Sequence, residues 1–304
     1  MNLKDIFLEI RIRAPIEKVR EAIHPTHQSN WDLRFSRIFI REQTEEQREK
    51  GIFTFSFVRS IFGRFFQLSG YGEIEEKEGE NGEIYSTLNF GSEDSHCPIR
   101  RGKGYHLLIP ETENSTLFRT EFQYRPRYGK LGFLFDILLF RHILKFVTAY
   151  SLDRLKIYLE KEIPPSLSLK RSMNLYLIRL SLCFFWVFQS LYLGYYFQGY
   201  LVHKIYFRLY PDANTAALSL VNIPEVIFGL LFIFIRDNFY LYILNFLIAF
   251  SFLVLCLYKF SILHTVGAFS FLLYLFMMLL SVFGLLGRKD IPYAGNCKTR
   301  IQKS

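Results

Sequence analysis

The sequence lacks closely spaced cysteines, since its four cysteines lie far apart at Cys97, Cys183, Cys256 and Cys297. Metal sites and disulfide frameworks need short or regular cysteine spacings, so this pattern indicates neither. A nucleophile elbow, a paired-carboxylate motif and a glycine-rich phosphate loop are also missing. We therefore expect no metal and no cofactor, and binding is favoured over catalysis.

The N-terminal segment MNLKDIFLEIRIRAP lacks the uninterrupted apolar core and the small-residue cleavage site of a signal peptide. The soluble part that follows is expected to stay on the side of the membrane where it is made. The chain carries a net charge of +9 but no basic stripe with interleaved exposed aromatic residues. Much of the positive charge lies beside apolar runs, where a membrane attracts it, so a bilayer is the expected partner and nucleic acid is not.

Long apolar runs dominate the second half of the chain. At about 1.5 Å per residue they are long enough to cross a hydrocarbon core of about 30 Å. The four candidate spans are residues 175–197, 216–235, 239–257 and 262–286. Buried core helices are the alternative, but four consecutive runs of this kind favour an all-α transmembrane four-helix bundle over residues 175–287. Arg179, near one end of the first run, is expected to snorkel towards the interface.

Lysine and arginine residues near the span ends predict the orientation. With the N-terminus inside, the cytoplasmic side receives Lys161, Lys170, Arg171, Arg236, Arg288, Lys289, Lys298, Arg300 and Lys303. The outer loops keep only Lys204, Arg208 and Lys259. We therefore predict an integral protein of the cytoplasmic (plasma or inner) membrane, with both termini cytoplasmic, a linker over residues 164–174 and a basic tail over residues 288–304.

Alternating apolar and polar residues predict an antiparallel sheet in the first half of the chain. The strand candidates are residues 6–13, 36–42, 53–58, 64–75, 84–90, 104–109 and 118–124. After the first strand, Ala14-Pro15 precedes a helix whose apolar face is formed by Ile16, Val19 and Ile23. A long helical pattern over residues 131–162 ends at Pro164-Pro165.

This order of elements resembles the START/polyketide-cyclase superfamily, often called SRPBCC, over residues 3–162. The segments that carry the resemblance are EIRIRAPIEKVREAI, Asn30-Trp31-Asp32, GIFTFSF and AYSLDRLKIYLEKE. It implies an α+β helix-grip domain over residues 1–163, in which a bent antiparallel sheet wraps around a long helix. It also implies an apolar cavity that holds a lipid, sterol, polyketide or other hydrophobic molecule. The expected lining is Phe53, Phe55, Phe57, Phe118, Phe122, Leu138, His142 and Phe146, although each large apolar side chain could instead be plain core.

Some members of that superfamily are cyclases or dehydratases that move protons inside the cavity with a histidine, an acid or a tyrosine. Such chemistry needs a titratable group with a pKa near neutrality in a dry pocket. His106 and His142 are the two histidines placed for that role. A cyclase or dehydratase activity therefore remains an alternative to binding.

The second half of the chain resembles the DoxX-like family of small four-helix membrane proteins over residues 175–287. The segments that carry this resemblance are RLSLCFFWVFQSLYLGYY, VHKIYFRLYPD and PEVIFGLLFIF. Polar residues within such spans are costly and face the bundle interior. The candidates are Asn222, Glu225 and His264. Glu225 either stabilises the bundle, protonated or hydrogen-bonded to Asn245, His264 or another span, or takes part in transport or redox chemistry.

Two main hypotheses follow. In the first, a membrane-tethered module holds a lipid or other hydrophobic small molecule at the cytoplasmic membrane face. In the second, the membrane bundle acts in a redox or small-molecule transport assembly, with another membrane protein or a second copy as partner, and the soluble domain regulates it.

Overall fold

A computed structural model describes residues 5–61, 66–193, 215–235, 239–259 and 266–299. The chain forms two compact units. The first unit contains Met1–Leu169 together with Asp290–Ser304, and the second unit contains Lys170–Lys289. His264 and residues 194–197 of the first predicted span lie outside the described residues, as does the side chain of Asn222.

The first unit is built on a seven-stranded antiparallel sheet with the order β1-β7-β6-β5-β4-β3-β2. Its strands are β1 (Ile6–Ile12), β2 (Arg37–Ile40), β3 (Ile52–Ile61), β4 (Phe66–Glu78), β5 (Ile84–Gly91), β6 (Ile99–Thr112) and β7 (Ser115–Pro126). Strands β2 to β7 follow one another as neighbours, and β1 closes the sheet by pairing with β7. The predicted number and order of strands are confirmed.

Helices cover one face of this sheet. They are α1 (Ile16–Ile23), α2 (Pro25–Trp31), the short α3 (Glu45–Glu49), α4 (Gly129–Phe135) and α5 (Arg141–Lys161). The predicted α+β arrangement of one strand, short helices, six strands and a long helix is therefore present.

The long helical pattern is interrupted by a π-helical turn, Asp136–Phe140, between α4 and α5. A turn of this kind places residues five apart on one side of the helix. Arg141 accordingly donates from Nε to Oδ2 of the buried Asp136 across 3.2 Å, and the Tyr124 hydroxyl donates to the same carboxylate.

The core of the first unit lies between β1, β7 and the helices. Val19 and Ile23 of α1 are buried as their spacing predicts, and Trp31 donates from Nε1 to the carbonyl oxygen of Ala22 across 2.7 Å. Helix α5 contributes Leu152 and Leu155 to the same cluster. Burying apolar side chains of this size stabilises the fold by about 1.5 to 3 kcal/mol each.

Phenylalanine rings lie across glycines on neighbouring strands. The opposed pairs are Phe57 with Gly70, Phe55 with Gly72, Phe90 with Gly102, and Phe122 with Gly104. A Cβ on Gly72 would lie 2.3 Å from the Phe55 ring, and one on Gly102 would lie 2.2 Å from the Phe90 ring. The glycines therefore leave the space in which the aromatic side chains pack flat against the sheet.

The second unit is helical in its described parts. Its helices are α6 (Pro165–Phe188), which starts in the first unit and continues into a π-helical turn (Gln189–Leu193), α7 (Thr215–Phe234), α8 (Phe239–Lys259) and α9 (Val266–Gly287). Within these parts one segment, Pro165–Leu191 with 27 residues, is long and apolar enough to cross a bilayer; the apolar stretches of the other helices are shorter. The four-helix transmembrane bundle therefore stays a prediction.

Two predicted boundaries differ in the structure. The proposed linker over residues 164–174 is helical from Pro165 onward, because proline fits the first turn of a helix. The predicted basic tail over residues 288–304 is not separate, since most of it belongs to the first unit.

The C-terminal segment, residues 290–299, packs against the first unit through backbone and side-chain contacts. Lys298 and Glu9 exchange two backbone hydrogen bonds of 2.8 and 3.0 Å, which adds a bridge to the free edge of β1. The Tyr293 backbone N–H donates to Oδ2 of the buried Asp153 across 3.3 Å. We call this segment the C-terminal strap.

Candidate functional site

The inner face of the sheet is covered unevenly. Near β1 and β7 the helices close it, and Leu8, Ile10 and Phe118 are at most 2% exposed. Towards β3 and β5 the inward side chains of Phe53, Phe57, Leu88 and Phe90 keep part of their surface exposed. We call the inward rings of Phe35, Phe53, Phe55, Phe57, Phe90 and Phe122 the aromatic face.

The rings of the aromatic face contact one another in a row along the sheet. The ring centroids of Phe35 and Phe57 are 4.9 Å apart in an edge-to-face arrangement, and those of Phe90 and Phe122 are 6.3 Å apart. Rings arranged in this way present a continuous apolar surface with few polar atoms, as ligand pockets for hydrophobic molecules do.

A buried ion pair lies at the edge of this aromatic face. Asp32, immediately after α2, is 1% exposed and accepts two hydrogen bonds from Arg34 Nε and one of 2.7 Å from Nη2. Gln28 adds a hydrogen bond from Nε2 to Oδ2 across 3.1 Å. Burial opposes ionisation of Asp32, but the Arg34 charge and these hydrogen bonds outweigh it and lower the pKa of the carboxyl.

The Arg34 guanidinium also contacts the aromatic face directly. Its central carbon lies 5.5 Å from the centroid of the Phe35 ring and 5.9 Å from that of Phe122. Both distances are within the range of cation–π attraction. The ion pair therefore forms the polar border of the aromatic face.

A second arginine, Arg59, follows Phe53, Phe55 and Phe57 at the next inward position of β3. The segment that carries Arg34 runs beside it, because the Ser36 N–H donates to the Val58 carbonyl across 2.9 Å. Burial lowers the pKa of Arg59, Asp32 acts in the opposite direction and Arg34 adds to the lowering. Among the described residues the Arg59 guanidinium has no hydrogen-bond or ion-pair partner, and its nitrogens keep contact with solvent.

His106 lies on β6 between Ser86 and Thr120 of the neighbouring strands. It is 5% exposed, and its ring meets the Phe118 ring edge-on at 5.4 Å. Burial, reinforced by the Arg34 charge, lowers the pKa of His106 to about 4, so the ring is neutral at physiological pH. His142 is exposed on α5, and the structure does not bring the two histidines together.

The five phenylalanines predicted for the cavity lining all occupy inward positions of β3 or β7: Phe53, Phe55, Phe57, Phe118 and Phe122. Phe118 is fully enclosed in the core, whereas Phe53 and Phe57 remain partly exposed. Phe118 is therefore a core residue, whereas Phe53 and Phe57 belong to the accessible part of the aromatic face.

The expectation that Leu138, His142 and Phe146 face the sheet is wrong. Leu138 is 68% exposed, Phe146 is 39% exposed and His142 is also exposed. The buried side of α5 includes Leu144, and a residue two positions from it lies about 200° around a helix with 3.6 residues per turn. His142 and Phe146 are both two positions from Leu144 and therefore point away from the core.

These three residues belong to a larger apolar surface. We define the apolar segment as residues 129–146, and its exposed apolar side chains are Leu131, Leu134, Phe135, Ile137, Leu138, Leu139, Ile143 and Phe146. Leu131 is 79% exposed, and the basic residues Lys130 and Lys145 lie within the same segment. A contiguous exposed apolar surface of this kind marks an interaction site.

The apolar segment starts at the same end of the sheet as Arg59. Arg127, just before it, donates from Nε to the Cys97 carbonyl across 3.0 Å and from Nη2 to the Ser92 carbonyl across 2.5 Å. Ser92 of the same loop donates from Oγ to the Ser69 carbonyl across 2.5 Å, and Ser69 follows Leu68, the β4 partner of Arg59. Arg59, this loop and the beginning of the apolar segment therefore lie at one end of the aromatic face.

The ion pair and Arg59 were missed by the sequence reasoning. Asp32 was noted only as part of Asn30-Trp31-Asp32, and no weight was given to its charge. Arg59 could have been found, because it is a charged residue at the fourth inward position of a strand whose other inward positions are phenylalanines.

The second unit contains a polar network of its own. Asn245 is fully buried, accepts a hydrogen bond of 2.6 Å from Trp186 Nε1 and donates one of 2.6 Å to Ser281 Oγ. Glu225, one of the predicted intramembrane polar residues, accepts from Gln189 Nε2 across 3.4 Å, so its partner lies on the turn that continues α6, another helical segment, rather than at Asn245. Asn245 therefore links α6, α8 and α9, and its described partners do not include Glu225.

Arg179 does not snorkel as predicted. It is 8% exposed and donates to the carbonyl oxygens of Phe232, Ile233 and Ile235 at 2.6, 3.2 and 2.7 Å. Those carbonyls lie at the C-terminal end of α7, where the helix leaves acceptors without partners. A cation at this position also interacts favourably with the helix dipole.

Comparison with known proteins gives one relative and several similar folds. The chain matches no known family model, so the DoxX-like resemblance stays a prediction. Among solved structures, the first half of the chain is similar to a START superfamily protein from Mycobacterium smegmatis. The match has 12% sequence identity and a TM-score of 0.36, and it covers 53% of this chain and 100% of that protein. A STAR-related lipid transfer protein from Xanthomonas axonopodis matches with 13% identity, 48% and 85% coverage and a TM-score of 0.35.

Sequence comparison identifies a bacterial relative. The uncharacterized membrane protein YndG of Bacillus subtilis (strain 168) is 31% identical over 192 residues, which is 62% of this chain and 70% of the relative. The chain therefore belongs to the same family as the Bacillus subtilis membrane protein YndG.

Proposed function

We propose that this protein is a membrane-tethered binding protein whose first unit holds a lipid or another hydrophobic small molecule. The observation that carries the proposal is the aromatic face, because Phe53, Phe57 and Phe90 remain partly exposed on the inward side of the sheet. Large aromatic side chains are usually enclosed when they serve packing alone. An apolar ligand would cover them.

Two findings support an anchor in the membrane. The relative from Bacillus subtilis is named a membrane protein, and α6 includes a segment long and apolar enough to cross a bilayer. In sequence, the first unit contains residues that precede the second unit and residues that follow it, because the C-terminal strap pairs with β1. A membrane domain whose two ends connect to one soluble unit crosses the bilayer an even number of times, and the four helices that the structure describes there, α6 to α9, agree with that condition. Both termini then lie on the same side, and the lysines and arginines near the helix ends favour the cytoplasmic side.

The apolar segment supports exchange of the ligand with the bilayer. Its exposed leucines and phenylalanines are accompanied by Lys130 and Lys145, and such a composition suits the boundary between acyl chains and anionic head groups. The segment starts at the end of the aromatic face where Arg59 lies. A lipid could pass between bilayer and aromatic face along this path.

The proposal is tested with the full chain, purified and extracted for mass spectrometry. Leu88→Trp adds bulk on the inward side of β5, and Thr87→Trp adds the same bulk on the outward side at a position of similar exposure. We expect a lipid-like molecule that copurifies with the wild type and with Thr87→Trp but is lost from Leu88→Trp. Identical extracts from all three proteins would overturn the proposal.

A second candidate function centres on the second unit. Glu225 is a half-buried carboxyl in an apolar helix, and it meets Gln189 where α6 changes to a π-helical turn. Such turns frequently mark functional sites. A DoxX-like role in a redox or transport assembly requires that Glu225→Gln abolish a cellular phenotype that Leu88→Trp only modulates, and an unaffected Glu225→Gln strain would remove the basis of this candidate.

A further inference from the structure

We infer that the ligand of the aromatic face is an amphipathic anion whose head group binds Arg59. This inference rests on the proposed function, because it names the chemical class of the molecule held there. The class comprises long-chain molecules with a carboxylate or phosphate head.

The two arginines of the site differ in their partners. Arg34 is occupied, since both carboxylate oxygens of Asp32 accept its hydrogen bonds. Arg59 is half-buried and has no such partner among the residues that the structure describes. A cation that has lost part of its hydration and has no partner gains more from an arriving anion than a fully hydrated one does, so this position favours an anion.

The charges around Arg59 also leave one positive charge to be neutralised. Asp32 neutralises Arg34, and His106, which also feels both charges, is neutral at physiological pH. Arginine binds carboxylate and phosphate oxygens through paired hydrogen bonds, which makes these two head groups the matching chemistry.

The rest of β3 suits an apolar tail. Phe57, Phe55 and Phe53 follow Arg59 on the same side of the strand, over a distance of about 20 Å at about 3.3 Å per residue, and the first and last of these rings keep part of their surface exposed. An acyl chain spans half of a hydrocarbon core, about 15 Å. A head group at Arg59 would therefore leave the whole chain on the aromatic rings, with the head at the end where the apolar segment starts.

The test uses the full chain in nanodiscs of neutral phosphatidylcholine. Three photoreactive probes are compared at a pH where the acid is ionised: a palmitic acid analogue, the matching alcohol with the same tail, and a phosphatidic acid analogue. Labelling of first-unit peptides is quantified by mass spectrometry. The acid and the alcohol differ only in the head group, so their ratio isolates its contribution.

We expect an anionic probe to label the wild type about tenfold more than the alcohol does. A charge-assisted hydrogen bond contributes about 1.5 kcal/mol to binding, which corresponds to about tenfold in affinity. The preference should approach unity in Arg59→Gln, persist in part in Arg59→Lys, and remain unchanged in Arg37→Gln, which removes an exposed arginine from β2. Whichever of the acid and the phosphatidic acid labels more identifies the source of the head group.

Equal labelling of the wild type by all three probes would overturn the anionic head group while leaving the proposed function intact. Absence of first-unit labelling by every probe would instead contradict the proposed function. Both comparisons use the wild type alone and therefore remain decisive even where a variant fails to fold.

Discussion

The guanidinium of Arg34 is held by both carboxylate oxygens of Asp32, a residue only two positions earlier in the chain. The pair follows directly after Trp31, whose indole is bound to the Ala22 carbonyl, so α1, α2 and the pair form one connected structure. Arg34 is therefore engaged in an ion pair, whereas Arg59 is left without an acidic partner among the described residues.

Asp32→Asn removes the charge that compensates Arg34 in a buried position. We expect the first unit to lose about 3 to 5 kcal/mol of unfolding free energy, the usual cost of breaking a buried ion pair from one side. Denaturant unfolding of the full chain in a Trp186→Phe background, which leaves Trp31 as the one tryptophan of the sequence, followed by its fluorescence, measures this loss. Glu93→Gln, at an exposed loop position, is the matched control and should be neutral; equal stabilities of the two variants would show that the pair contributes little.

His106 makes stability depend on pH. Its pKa falls from an ordinary value of 6.5 to about 4 in the folded state, so the folded protein binds fewer protons than the unfolded chain between these values. Stability is therefore fully present above about pH 6.5 and declines as the pH falls towards 4, by roughly 3 kcal/mol in total.

Melting curves across this pH range should show a shallower dependence in His106→Gln than in the wild type. His27→Gln replaces an exposed histidine and should keep the wild-type slope. If His106→Gln and the wild type lose stability in parallel, His106 does not remain neutral in the folded state. The same variant tests the cyclase or dehydratase alternative, which requires that turnover vanish while ligand uptake persists.

The apolar segment should govern how fast a ligand moves between bilayer and aromatic face. Replacing Leu134 and Leu138 with serine removes two exposed apolar side chains, each worth about 1.5 kcal/mol or more on burial in lipid. We expect transfer of a fluorescent fatty acid between nanodisc lipid and the protein to slow about a hundredfold, because the two losses together come to about 3 kcal/mol, with the extent at equilibrium unchanged. Phe39→Ser, at an exposed apolar position on β2, is the control, and an equal rate in all proteins would exclude this path.

The C-terminal strap makes a prediction about topology. Because Lys298 pairs with Glu9, both residues belong to the first unit, and we expect the two termini on one side of the membrane. Tags at both termini should be digested together in inverted vesicles and protected together in intact cells. Protection of one tag and digestion of the other in the same preparation would contradict an even number of crossings.

Much of the first unit could be predicted from local patterns. Alternation of phenylalanine with polar residues identified β3 and β7, and Ala14-Pro15 before an apolar helical face identified α1. These features depend on neighbours within a few residues, which a sequence displays directly. The five inward phenylalanines were found for the same reason.

The features that were missed depend on distant partners or on small changes of helical period. The π-helical turn at Asp136–Phe140 interrupts a pattern that otherwise continues smoothly, and the sides of α5 were assigned wrongly beyond it. The bridge between Glu9 and Lys298 joins the two ends of the chain, and no local pattern predicts it. That Arg59 lacks an acidic partner becomes evident only when the structure shows that Asp32 pairs with Arg34.

The central claim is that the aromatic face holds a hydrophobic molecule, and photolabelling of the full chain in nanodiscs tests it most directly. With an uncharged photoreactive hydrocarbon probe, the account predicts labelled peptides from the strand that carries Phe53 and Phe57, and loss of that label in Leu88→Trp but not in Thr87→Trp. Labelling confined to the helices of the second unit, with the Phe53–Phe57 peptide unmodified, would contradict it.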